Sequence, residues 1–207
     1  MIVYGTGYSP FVRKVLVALH EKGVAYDHTP CMFHDPDQAF QAASPFGKIP
    51  AIDVDGFKLA DSSAILFYLE RRHPAPALIP SDPEAAGRAV WFDKFGDTEL
   101  FAKLVVPFVE RVLKPTMRKV PGDAAAVAKA LGEDLPPLFD YLEGEIAGPY
   151  LAGDAFGIAD ISVATGFYNF RLAECSVDSG RWPKLAAYVE ATLARPSFVK
   201  ACAARKG

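Results

Sequence analysis

Ser44-Pro45-Phe46-Gly47-Lys48-Ile49-Pro50-Ala51-Ile52, continued by Asp53-Val54-Asp55-Gly56-Phe57-Lys58-Leu59 and then Asp61-Ser62-Ser63, is the stretch around which the chain is organised. Asp55-Gly56 separates two short apolar runs, Ala51-Ile52 with Val54 and Phe57 with Leu59. A two-residue hairpin turn needs positive φ, and Asp-Gly supplies it, so the segment reads as a β-hairpin. Asp61-Ser62-Ser63 opens an apolar helical run from Ile65 to Leu69, which places a helix N-terminus directly after the hairpin. Such an N-terminus offers unpaired backbone N–H groups and the positive end of a dipole, a combination suited to a carboxylate. Pro50, at the entry to the first hairpin strand, gives the sheet no ladder donor and can be cis, which leaves the Ile49 backbone to pair outside the sheet. One short segment therefore offers a strand-like edge for a peptide with an anion pocket beside it.

Upstream, Met1 to Gly5 is a short β-prone run, and Thr6-Gly7-Tyr8 turns. Ser9-Pro10 supplies an N-cap residue with proline at the first helical position. Val12, Val15, Leu16 and Leu19 share one helical face, and Gly23 ends that helix. Val24 to Cys31 reads as a second strand and Pro36 to Ala43 as a short helix. A βαβ opening implies a parallel strand pair, and the hairpin adds antiparallel strands, so a small mixed sheet with helices on its faces is expected.

Downstream, the proline-rich run from His73 to Pro83 has the look of an interdomain linker. Beyond it the pattern is helical only. Phe101, Leu104, Val105, Phe108 and Val112 lie on one face of a long helix starting near Pro83 or Glu84, with a kink or break expected at Pro107. Val127 to Leu142 continues in the same way, interrupted by Pro136-Pro137, and further helices are expected from Ile158 to Leu172, from Trp182 to Leu193 and after Arg195. The expected fold class is α/β plus all-α: residues 1–76, a linker over 77–84, and a helical domain over 85–207.

The net charge of −3 and the scattered Lys and Arg residues argue against nucleic acid. Met1 to Gly5 lacks the charged and apolar regions of a signal peptide, and no apolar run approaches the length of a membrane span, so a cytoplasmic location is expected. Cys31, Cys175 and Cys202 are odd in number, far apart and without a CxxC, which argues against a disulfide scaffold, a zinc site and a dithiol centre. No metal is expected. If thiol chemistry occurs, the thiol arrives with a ligand.

Four patches in order resemble the glutathione S-transferases. Ser9-Pro10-Phe11-Val12-Arg13-Lys14-Val15 is similar to the first helix of serine-type members, and Ser44 to Ala51 resembles the family's Asn-Pro-x-Gly-x-(Val/Ile)-Pro signature. Asp61-Ser62 resembles its Glu-Ser pair, and Tyr150 to Asp154 with Ile158-Ala159-Asp160 resembles its helical-domain motif. The resemblance implies a thioredoxin-like first domain, a helical second domain, glutathione as co-substrate, and a homodimer. It further implies that the Ser9 hydroxyl donates to the glutathione sulfur and favours thiolate over thiol. Ser before Pro is also what an ordinary helix cap looks like, and Tyr4, Thr6 and Tyr8 are rival hydroxyls. Arg13, one turn after Ser9, either assists the thiolate or pairs with a carboxylate in the fold.

By the same resemblance Ile49 pairs with the cysteinyl unit, Pro50 is cis, Asp61 and Ser62 hold the γ-glutamyl end, and Lys48 reaches the glycyl carboxylate. Asp97 would reach the ammonium across a dimer. Tyr8, Phe11, Phe101, Val105 and Phe108 are expected to line an electrophile pocket between the domains. Conjugation, isomerisation, dehalogenation and peroxide reduction all use one thiolate and stay open, as does a non-catalytic binding role. In the helical motif Gly157 stands where the family carries Ser or Thr, while Asp160 can still bond back to the Gly157 N–H.

Overall fold

The computed structural model describes residues 1–203. Packing divides the chain into one unit of residues 1–79, joined by the described residues from 194 onward, and a second of residues 80–193. The last four residues of the expected helical domain, 204–207, lie outside the described residues.

The first unit runs β1 (Ile2–Tyr4), α1 (Pro10–Glu21), β2 (Asp27–Thr29), α2 (Gln38–Ala43), β3 (Ala51–Val54), β4 (Phe57–Ala60), α3 (Ser62–Arg72). Its four strands form one mixed sheet in the order β2-β1-β3-β4. β1 pairs with β2 in parallel and with β3 antiparallel, and β3 and β4 form the antiparallel hairpin. The turn is built as the sequence requires, with φ of 54° at Asp55 and 92° at Gly56. β2 is shorter than the run from Val24 to Cys31: only Asp27–Thr29 pairs, and Asp27 and Thr29 are exposed, as an edge strand beside β1 allows.

Ser9 caps α1 with Pro10 in its first turn, and Val12, Val15, Leu16 and Leu19 are all fully buried. At the other end of α1, the buried Lys22 ammonium sits 2.8 Å from a Glu70 carboxylate oxygen and donates to the carbonyls of His73 and Pro76. That single side chain ties α1 to the end of α3 and to the proline-rich segment. The last described helix, α10 (Pro196–Ala203), packs on α1 in this same unit, although chain order alone groups it with the helical segments. Glu21 holds it, accepting two bonds from the Arg195 guanidinium at 3.1 Å and one from the Ser197 hydroxyl at 2.5 Å.

The second unit is helical. α4 (Pro83–Phe95) is capped by Asp82 and continues through a π-helical turn, Gly96–Leu100, into α5 (Phe101–Phe108). The helix passes through Pro107 and changes winding just beyond it, in a second π-helical stretch, Val109–Arg118. α6 (Ala124–Lys129) and a π-helical turn, Ala130–Asp134, lead to α7 (Pro136–Glu145); the helical run is interrupted at Leu135, as expected, and both prolines fall in the first turn of the next helix. α8 (Ile158–Leu172) and α9 (Pro183–Leu193) complete the unit. The π-helical turn at the end of α4 packs closely on α8 because Gly96 carries no side chain: a Cβ there would lie 2.9 Å from the Ser162 backbone. The same contact holds a buried pair, the Ser162 hydroxyl donating to Asp93 at 2.6 Å.

Asp160 does more than close the α8 cap. It accepts the Gly157 N–H at 3.0 Å, the Leu151 N–H at 3.0 Å and the Tyr188 hydroxyl at 2.9 Å. Burial raises its carboxyl pKa while these three bonds oppose the shift, and burial also holds the Tyr188 phenol well above its usual range. Gly157 caps from an extended backbone, φ −151°.

Candidate functional site

The site is defined by strand register. Tyr4 of β1 lies opposite Ala51 of β3, which in turn lies opposite Ala60 of β4. β1 runs out of the sheet at that level, β3 enters it there and β4 leaves it there. The segments just outside the sheet, Gly5–Ser9, Ile49–Pro50 and Asp61–Ser62, therefore emerge from one end of it. Adjacent strands lie about 4.8 Å apart, so the three ends span about 10 Å, the reach of an extended tripeptide.

The first arm carries Ser9. Its Oγ accepts the Val12 N–H at 3.4 Å, a long cap bond, and its backbone N–H donates to Thr6 O at 3.0 Å. A hydroxyl has two acceptor lone pairs and one donor, so capping uses an acceptor and leaves the O–H able to donate. The arm is tied down along its length. Gly5 N–H donates to Thr29 O at 3.1 Å, His28 Nε2 is 2.7 Å from Gly5 O, and the Arg13 guanidinium donates to Gly7 O at 3.1 Å.

The rival hydroxyls are unequal. Tyr4 is buried, with its ring 6.0 Å from that of Phe40, and burial raises its pKa. Thr6 Oγ1 accepts the Tyr8 N–H at 3.3 Å, while Tyr8 is 37% exposed. Arg13 is fully buried and spends one bond on the loop that presents Ser9.

The second arm is the Ile49–Pro50 bond, which is cis. The loop before it is fixed by Ser44, whose hydroxyl donates to Lys48 O at 2.6 Å and whose carbonyl accepts the Gly47 N–H at 2.8 Å. Lys48 is exposed and Ile49 buried. The structure also brings His34 to this loop, its backbone N–H donating to Gly47 O at 2.8 Å. His34 carries no local sequence signal for such a role, because its contact is set by the return of the chain after α2, whereas the Ser44 bonds are made within one loop.

The third arm opens α3. Asp61 caps it, Oδ1 accepting the Ala64 N–H at 3.1 Å, from a backbone with φ of 78° that non-glycine residues rarely adopt. Ser62 is buried, and the Lys14 ammonium reaches from α1 to the Ser63 hydroxyl at 3.0 Å. Of the expected pocket residues, Phe11, Phe101 and Val105 are half-buried, while Phe108 is 2% exposed. Asp97 is half-buried in the first π-helical turn. Among the described residues no three His, Cys, Asp or Glu side chains gather as a metal site, and no helix is long and apolar enough to cross a membrane.

A mixed sheet of this order, a cis-proline at the head of its hairpin and a helix cap beside it define a thioredoxin-like unit, here followed by an all-helical one. Residues 3–77 match the family model for the glutathione S-transferase N-terminal domain, and residues 124–191 the model for its C-terminal domain. Glutathione S-transferase 3 of Zea mays is 34% identical over 98% of this chain and 93% of its own length. Among solved structures, a glutathione S-transferase from Rhodospirillum rubrum superposes with a TM-score of 0.87 at 27% identity, covering 97% of this chain and 90% of its own. Another, from Methylobacterium radiotolerans in complex with glutathione sulfonate, has a TM-score of 0.76 at 26% identity over 97% of this chain and 93% of its own. The chain belongs to the glutathione S-transferase family.

Proposed function

We propose that this chain is a glutathione transferase that binds glutathione across the end of its four-stranded sheet and delivers the thiolate to a small apolar electrophile. The observation that carries the reading is the register of Tyr4, Ala51 and Ala60, which brings a hydroxyl, a strand-like edge and a helix N-terminus to one sheet end. Each arm has chemistry for one part of the tripeptide. The Ile49 backbone pairs with the cysteinyl unit as an added strand, with Pro50 beside it. Ser62 and the α3 N-terminus take the γ-glutamyl carboxylate, Asp61 takes its ammonium, and Lys48 the glycyl carboxylate.

The Ser9 O–H then donates to sulfur. A free thiol of pKa about 8.5 is only a few per cent ionised at neutral pH, so a donor that prefers the charged form raises the reactive fraction. The α1 N-terminus pushes in the same direction. Tyr8, Phe11, Phe101, Val105 and Phe108 are proposed to line the electrophile site. Residues 1–76 as the glutathione domain, 77–84 as linker and 85–207 as the electrophile-binding helical domain, apart from α10, which packs on α1, belong to the same reading. So do a homodimer, a cytoplasmic location and a detoxifying role.

The test is turnover of a panel of small electrophiles with glutathione, by wild type and Ser9→Ala. Conjugation that falls steeply in the variant supports the reading. Turnover absent throughout, or indifferent to Ser9, contradicts it.

A further inference from the structure

We infer that His28 is a positioning residue for the thiolate chemistry, acting through Gly5. The inference rests on the reading of the sheet end as the glutathione site and adds a residue to it.

His28 is the middle residue of β2, in register with Val3. Its Nε2 lies 2.7 Å from Gly5 O. A carbonyl only accepts, so Nε2 carries the proton, and it does so in one neutral tautomer and in the imidazolium alike. The next residue of β2, Thr29, accepts the Gly5 N–H at 3.1 Å. The end of a three-residue edge strand thus grips both backbone polar groups of one glycine.

That glycine is the junction of two arms of the site. At φ of 138° its backbone lies in a region closed to side-chain-bearing residues, and a Cβ would fall 2.4 Å from Val12 Cγ2 and 3.1 Å from Ile49 Cβ. Val12 is the residue whose N–H holds Ser9 Oγ, and Ile49 is the residue that precedes the cis-proline. A rotation of the Gly5 peptide therefore moves the serine arm relative to the cysteinyl-binding arm. Glycine offers little intrinsic resistance to such a rotation, so the restraint comes from what its N–H and C=O bond. One of those two restraints is a side chain, and it can be removed without touching the main chain.

Removing it loosens the placement of the Ser9 hydroxyl against sulfur while leaving Ile49, Asp61 and Ser62 in place. Small misplacements of a reacting group cost rate far more than they cost binding. The effect belongs on the ionisation of bound glutathione and on kcat, and little of it on affinity.

The experiment measures the apparent pKa of the glutathione thiol bound to wild type, His28→Ala and His28→Gln, from the ultraviolet thiolate band against pH. Glutathione affinity by calorimetry and thermal melting accompany it. His28→Ala is expected to raise the bound-thiol pKa by about one unit and to lower kcat about threefold to tenfold at neutral pH. The rate deficit closes as pH rises, and affinity stays within about threefold of wild type. His28→Gln, which keeps an N–H donor, is expected to restore most of the loss. His28→Leu, filling the volume without a donor, carries the same expectation as His28→Ala should the alanine variant not fold. A bound-thiol pKa unchanged in the donor-less variants overturns the inference, whatever their melting temperature. So does a shift that His28→Gln fails to rescue, or a loss confined to affinity. If wild type itself leaves the thiol pKa at its solution value, the functional reading falls and this inference with it, a failure visible before any variant is compared.

Discussion

Ser9 Oγ accepts the Val12 N–H at 3.4 Å, so the hydroxyl proposed to hold a thiolate is also the cap of the helix it begins. The two roles separate by experiment. Losing so long a cap bond costs about 0.5–1 kcal/mol, the lower part of the usual range for N-caps. Losing a hydrogen-bond donor to the developing thiolate costs roughly a hundredfold in kcat/KM. Ser9→Ala is therefore expected to melt only slightly below wild type yet lose most turnover. Ser9→Asp keeps a capping oxygen but places an anion against sulfur, and is expected to be stable and inactive. Thermal melts paired with initial rates check both.

Asp61 presents the reverse problem, since its carboxylate caps α3 and its backbone sits at φ of 78°. Asn keeps the capping oxygen and tolerates positive φ, but removes the charge. Asp61→Asn is expected to leave stability within about 0.5 kcal/mol and to weaken glutathione binding about tenfold. Calorimetry and melting on the same preparation decide it, and an unchanged affinity would confine Asp61 to capping.

Asp160 belongs to folding. Asp160→Ala leaves the Leu151 N–H, the Gly157 N–H and the Tyr188 hydroxyl without their buried acceptor. At roughly 1 kcal/mol or more for each, the loss is about 3 kcal/mol or greater. Soluble yield and denaturant midpoint should fall, while turnover per folded molecule stays near wild type. A variant of normal stability and low turnover would contradict this assignment.

Cys31 gives a pH signature. Burial first, then the charges of Asp35 and Asp37, push its thiol up from 9.0 to about 11. The folded chain thus holds this proton more firmly than the unfolded chain. The contribution is present in full below pH 9 and is lost as pH rises through about 11. Wild type is expected to lose roughly 2 kcal/mol more stability than Cys31→Ala across that window, measured by denaturant unfolding. Parallel curves for the two would refute the shift.

Much of this was legible in the sequence because its cues are local. Asp55-Gly56 fixes the hairpin by the φ values it permits, and Ser9-Pro10 and Asp61-Ser62 mark helix starts by their capping chemistry. Val24 to Cys31 promises a longer edge strand than forms, because its β-prone residues extend beyond the stretch where β1 runs beside it. Pro136-Pro137 mark an interruption that the structure places at Leu135, because proline is excluded from a helix interior but fits a first turn. The grip of His28 on Gly5 and of Lys22 on Glu70 carries no local cue, for each is a contact between segments brought together only by folding. The three-bond role of Asp160 is legible in part: the bond to Gly157 is local, whereas Leu151 and Tyr188 arrive from elsewhere.

The most direct test of the account is a calorimetric titration of the purified chain with glutathione. One binding event per chain is expected, with a dissociation constant between about a micromolar and a millimolar, weakened in Asp61→Asn and preserved in Ser9→Ala. A chain that is folded by circular dichroism yet gives no heat with glutathione across that range would contradict the claim that this sheet end is a tripeptide site.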